Sequence, residues 1–106
     1  MNSVVYNKLV RDNIPKIIEE QGKAAKTRIL TDLEYKEMLR LKLLEETNEF
    51  LDSGEIEELT DIVEVVRAIL DFEQVCYQDF EVIRQQKAVT RGRFADKIFL
   101  EEVISE

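Results

Sequence analysis

Breaks are scarce in this chain: only three glycines and one proline interrupt 106 residues. Sheet proteins built from many short strands need frequent turn residues, whereas long helices do not. The apolar residues agree, recurring at helical spacing through Leu39, Leu43 and Phe50, and then crowding most of a helix circumference through Ile62, Val63, Val65, Val66, Ile69 and Leu70. The expectation is an all-α fold: a bundle of about four helices built around an antiparallel pair, in one domain covering residues 1–106.

Pro15 suits a first helical turn and Gly22 a helix stop, so a short helix is expected between them. Residues 23–30 form a basic connection, extended at Thr27 to Leu30. Thr31 with Glu34 is a capping box, which opens a helix running to about Asp52. Ser53 and Gly54 break it. A third helix follows from about Glu55 to the low seventies, apolar around most of its circumference and therefore expected to be the most buried. A fourth is expected from Asp79 to Val89, ended by the run from Arg91 to Phe94.

Two helices joined by so short a break fold back on each other. Glu49 and Glu58 then both stand about 7 Å from the turn, and Glu46 and Asp61 both about 11 Å, at about 1.5 Å of rise per residue. Four carboxylates in two matched rungs repel one another unless a cation joins them. A hard divalent ion with oxygen ligands meets that need. Magnesium, with manganese as a substitute, also bridges carboxylate to phosphate, so the expected partner is a polyphosphate. The competing reading is a solvated acidic face, ordinary in a chain of net charge −8.

Composition narrows the chemistry further. With no histidine there is no Ser–His or Cys–His pair, and one cysteine makes neither a disulfide nor the usual zinc site. The negative charge disfavours nucleic acid polymers and anionic membranes as partners. No apolar run is long enough to span a bilayer, and the first residues carry no leader pattern. With the lone thiol at Cys76, these features give a cytoplasmic expectation.

Glu45, Glu46 and Glu49 followed by Glu58 and Asp61 resemble the EExxE…ExxD signature of the all-α nucleotide pyrophosphatases. That superfamily includes the MazG-like enzymes, phosphoribosyl-ATP pyrophosphohydrolase and the dimeric dUTPases. Two flanking stretches resemble a MazG-like, phosphoribosyl-ATP pyrophosphohydrolase-like subgroup: Tyr6 to Pro15, and Lys87 with Arg91, Gly92 and Phe94. Asn13, Thr60 and Arg93 depart from the pattern, standing where lysine, alanine and a second glycine are usual. None of the three is a metal ligand.

The resemblance implies magnesium-dependent cleavage between the α- and β-phosphates of a nucleoside triphosphate, giving a monophosphate and pyrophosphate. It implies Glu46, Glu49, Glu58 and Asp61 as metal ligands. Glu45 faces another way and either orients a water, acts as a base, or is purely structural. Lys8, Arg11, Lys87, Arg91 and Arg93 are the candidates for phosphate contacts, since guanidinium and ammonium groups suit phosphate; the bland reading is solvated surface charge. Lys42 reads as a salt-bridge partner of the cluster. Phosphoribosyl-ATP hydrolysis shares the same carboxylates, and a non-catalytic helical nucleotide-binding or interaction module is the alternative outside enzymes. Apolar faces too wide for one small chain, together with the resemblance, point to a homodimer, with a tetramer as the next possibility.

Overall fold

The computed structural model describes residues 2–105, and among them there are four α-helices and no strand: α1 (Ile14–Glu20), α2 (Asp32–Ser53), α3 (Ile56–Phe72) and α4 (Tyr77–Arg91). The chain divides into two compact units, one ending at Gln74 and the other starting at Val75.

In the first unit, Pro15 lies in the opening turn of α1, where its missing N–H is no loss. Gly22 follows the helix at φ +80°, a left-handed conformation that favours glycine. The expected extended stretch at Thr27 to Leu30 has no regular secondary structure. Both arms of the α2 capping box are made: Glu34 N–H donates to Thr31 Oγ1 at 3.3 Å, and Thr31 N–H to Glu34 Oε1 at 3.0 Å. Arg28 adds a fork, donating from Nη1 and Nη2 to the two Glu34 oxygens at 3.1 and 2.8 Å. Arg28, then the Thr31 backbone, hold the Glu34 carboxyl down at about 2. Thr31→Ala should cost about 1 kcal/mol, lowering the midpoint of thermal unfolding by about 4–8 °C for a domain this small. An unchanged melting temperature would show that the cap contributes nothing.

Gly54, at φ +68°, closes α2, and its N–H donates to Phe50 O at 2.7 Å. Only Gly54 and Glu55 separate α2 from α3, which pack on each other. The pairing is antiparallel. Tyr35 meets Phe72 edge-on with ring centroids 5.5 Å apart, Lys36 reaches Glu73 at 3.6 Å, and further along Glu46 meets Asp61.

The interior between them is small. Among the described residues the buried apolar side chains are Leu39 and Val65, and the one buried charged side chain is Glu46. As expected, α3 has the largest share of residues that are not exposed, yet only Val65 is fully buried and Val63 is 46% exposed. One neighbouring helix covers one face, and α3 is apolar on more than one.

The second unit holds α4, two residues longer at each end than its periodicity suggests. Arg84 is tied to Glu81 one turn away, and Tyr77 and Phe80 meet edge-on at 6.1 Å. Gly92 follows at φ +84°. Beyond it Phe94, Ile98 and Phe99 are exposed. No helix among the described residues is long and apolar enough to cross a membrane.

Candidate metal centre

Spacing and hairpin together bring five carboxylates to one end of the α2–α3 pair. Residues three or four apart on a helix share a face, which puts Glu46 beside Glu49 on α2 and Glu58 beside Asp61 on α3. The result is two overlapping groups. Glu45, Glu46 and Glu49 each offer an oxygen within 4.8 Å of the others, as do Glu46, Glu58 and Asp61. Glu46 belongs to both and is the hub. Glu46 meets Asp61, one of the two rungs that heights along the hairpin suggest; among the described residues no such group holds both Glu49 and Glu58, so the carboxylates gather around Glu46.

Glu46 is 7% exposed. Its Oε1 lies 3.3 Å from Lys42 Nζ, while its Oε2 is buried with no hydrogen-bond partner. Burial, and then the Glu49 carboxylate, push its pKa above the ordinary range against the pull of Lys42. Glu58 is raised as well, by burial first and then by Asp61, Glu46 and Glu55. Glu45 goes the other way: burial favours its neutral form, but Lys42 and then Lys8 outweigh burial and lower it. Lys42 Nζ reaches Glu45 Oε2 at 3.3 Å, so its role is the salt bridge the sequence suggests.

The arrangement fits a divalent cation. An orphaned, buried carboxylate oxygen is costly unless something positive completes it. Two oxygens on opposite sides of a magnesium ion stand about 4.2 Å apart, from a bond length of 2.0–2.1 Å. The observed 4.8 Å limit lies within a small side-chain adjustment of that span. All the donors are oxygens, as a hard cation requires.

The basic candidates fall into two sets. Lys8 and Arg11 reach the cluster itself: Lys8 Nζ lies 3.3 Å from Glu45 Oε1, and Arg11 Nη2 lies 2.6 Å from Asp61 Oδ1. A small cleft of about 100 Å³ adjoins Lys8, lined also by Lys42 and Glu45 among others. Lys87 and Arg91 are exposed on α4, and Arg93 follows Gly92, all within the second unit. Of the aromatics weighed for base stacking, Tyr35 is spent on Phe72, Tyr6 is exposed with Lys8 over its ring at 5.6 Å, and Phe94 is fully exposed.

Sequence reasoning missed two things. The Arg28 fork on Glu34 had no spacing rule to announce it. The pairing of Lys8 and Arg11 with carboxylates 37 and 50 positions away is long-range, and only charge complementarity hinted at it. Compared with family models, with curated proteins and with solved structures, the chain matches none.

Proposed function

We propose that this chain is a magnesium-dependent nucleoside triphosphate pyrophosphohydrolase of the MazG-like type, cleaving the α–β bond to give a monophosphate and pyrophosphate. One observation carries the reading: the partnerless, buried Glu46 oxygen at the meeting point of two carboxylate groups. A solvated acidic face has no reason to bury its central charge.

Glu46, Glu49, Glu58 and Asp61 would hold the ion. When bound, a divalent cation offsets phosphate charge and makes a coordinated water acidic enough to serve as nucleophile, which suits a chain without histidine. Glu45, kept ionised by Lys42 and Lys8, is a weak base and a better acceptor for orienting that water. Lys8 and Arg11 stand where incoming phosphate oxygens would need donors. Lys87, Arg91 and Arg93, in the second unit, are further candidates for phosphate contact by residue type. The free, exposed thiol of Cys76 suits a reducing compartment such as the cytoplasm.

The test is pyrophosphate release from a panel of canonical and modified triphosphates, with phosphoribosyl-ATP alongside, in the presence and absence of magnesium. Release from triphosphates that stops on chelation is expected, with manganese able to replace magnesium. Preference for phosphoribosyl-ATP would move the chain to that reaction on the same carboxylates. Binding without release from any substrate would make it a nucleotide-binding module.

A further inference from the structure

We propose that Lys8 and Arg11 form an intramolecular counter-ion strap that occupies the carboxylate cluster in the metal-free protein and gives way when a divalent cation enters. This rests on the metal reading of the cluster.

Both residues belong to the segment ahead of α1, which has no regular secondary structure through Val10. No local geometry compels either contact, since the partners are 37 and 50 positions away. Yet the two side chains land on different carboxylate groups: Lys8 on Glu45, in the group on α2, and Arg11 on Asp61, in the group spanning α2 and α3. Together they bracket Glu46. Lys42 is the third cation, but it is fixed on α2 within one turn of both Glu45 and Glu46, so it cannot leave with the strap.

Arg11 and a metal ion compete for the same charge. The Arg11 guanidinium lies against Asp61 Oδ1, and a cation bound among Glu46, Glu58 and Asp61 would repel it at close range. Both strap contacts are substantially exposed, with Arg11 at 54% and Lys8 at 42%. Exposed ion pairs are weak, so the strap neutralises an otherwise self-repelling cluster without locking it. The buried oxygen of Glu46, which no strap residue reaches, is left for the ion. Once released, the two cations stand beside the metal, where phosphate would arrive.

Competition and a merely structural role differ in sign. If Arg11 only orients Asp61, its loss weakens metal binding. If it competes, its loss strengthens binding. Titration calorimetry of magnesium, and of manganese, into wild type, Arg11→Gln, Lys8→Gln and Arg11→Lys reads this directly. The expected result is binding about threefold to fivefold tighter in Arg11→Gln, the scale of one exposed ion pair. A smaller gain is expected in Lys8→Gln, and near wild-type affinity in the charge-keeping Arg11→Lys. A nitroxide spin label attached at position 3 through Ser3→Cys, in a Cys76→Ser background, should also become more mobile when magnesium is added. Equal or weaker metal binding by Arg11→Gln, beside a wild type that does bind, would overturn the strap and leave the metal site standing. A wild type that binds neither ion would overturn both.

Discussion

Glu46→Gln should lower magnesium-dependent pyrophosphate release by more than about 100-fold, beyond the 10–100-fold typical of losing a metal's outer-shell partner, and yet raise the thermal stability of the metal-free protein. The two effects share one cause. Glu46 is the member common to both carboxylate groups, so removing its charge weakens every arrangement of ligands available to the ion. In the absence of metal the same charge is a liability: it is buried, faces Glu49 and has one oxygen unpartnered. Its raised pKa shows that burial and repulsion outweigh the attraction of Lys42. Glutamine keeps the shape and drops the charge, which should stabilise the metal-free chain by on the order of 1 kcal/mol, or about 4–8 °C.

The pH dependence fixes the sign. A carboxyl whose folded pKa is raised favours folding below its unfolded pKa, near 4.3, and that advantage is lost as pH rises through the folded value. Glu46 and Glu58 both behave this way. Melts in chelator at pH 4, 6 and 8 should therefore show the variant gaining on wild type as pH increases. Glu34 is the opposite case, held at about 2, and its contribution disappears only on acidification. Added magnesium should reverse the ranking at pH 7, because wild type gains about 2.7 kcal/mol at one hundred times its Kd while Glu46→Gln gains little. Asp61→Asn should lose activity similarly. Wild-type turnover by either variant at limiting magnesium would remove them from the ligand set.

What was legible beforehand follows a physical division. The capping box at Thr31 and Glu34 and the stop at Gly54 involve partners within one turn, and sequence spacing specifies such geometry closely. The convergence of Glu46 with Asp61 was readable too, because a two-residue break dictates antiparallel return. The hub role of Glu46 was not. Distance from the turn gives height along a helix, but Glu46 and Glu49 differ by about 60° around the axis at 3.6 residues per turn. That rotation decides which of them faces Glu58, and it is set by which side of α2 packs on α3. The breadth of the apolar surface on α3 was also legible, but not what covers it, since a pattern counts faces without naming their partners.

Those faces should be closed by a second copy of the chain. On α2, Leu33, Leu41, Leu44 and Leu51 are 57–71% exposed. At 3.6 residues per turn they fall within about 80° of arc, on the side away from buried Leu39 and Glu46. The helix is thus apolar on two faces, and α3 covers one. On α3, Ile56, Leu59 and Val63 make a second exposed stripe. A leucine half-exposed in the single chain regains about 1 kcal/mol when covered, and a two-fold axis counts each such contact twice. Light scattering at micromolar concentration should accordingly give a dimer of the 12.5 kDa chain, or a tetramer if two such pairs join. Leu51, already 71% exposed in the single chain, lies on the side of α2 away from Glu46, so Leu51→Glu should fold normally but dissociate the assembly. If the substrate lies between subunits, activity should fall with dissociation and recover at high protein concentration. A monodisperse wild-type monomer with full activity would show that the leucine stripe is covered within one chain and that the site is complete without a partner.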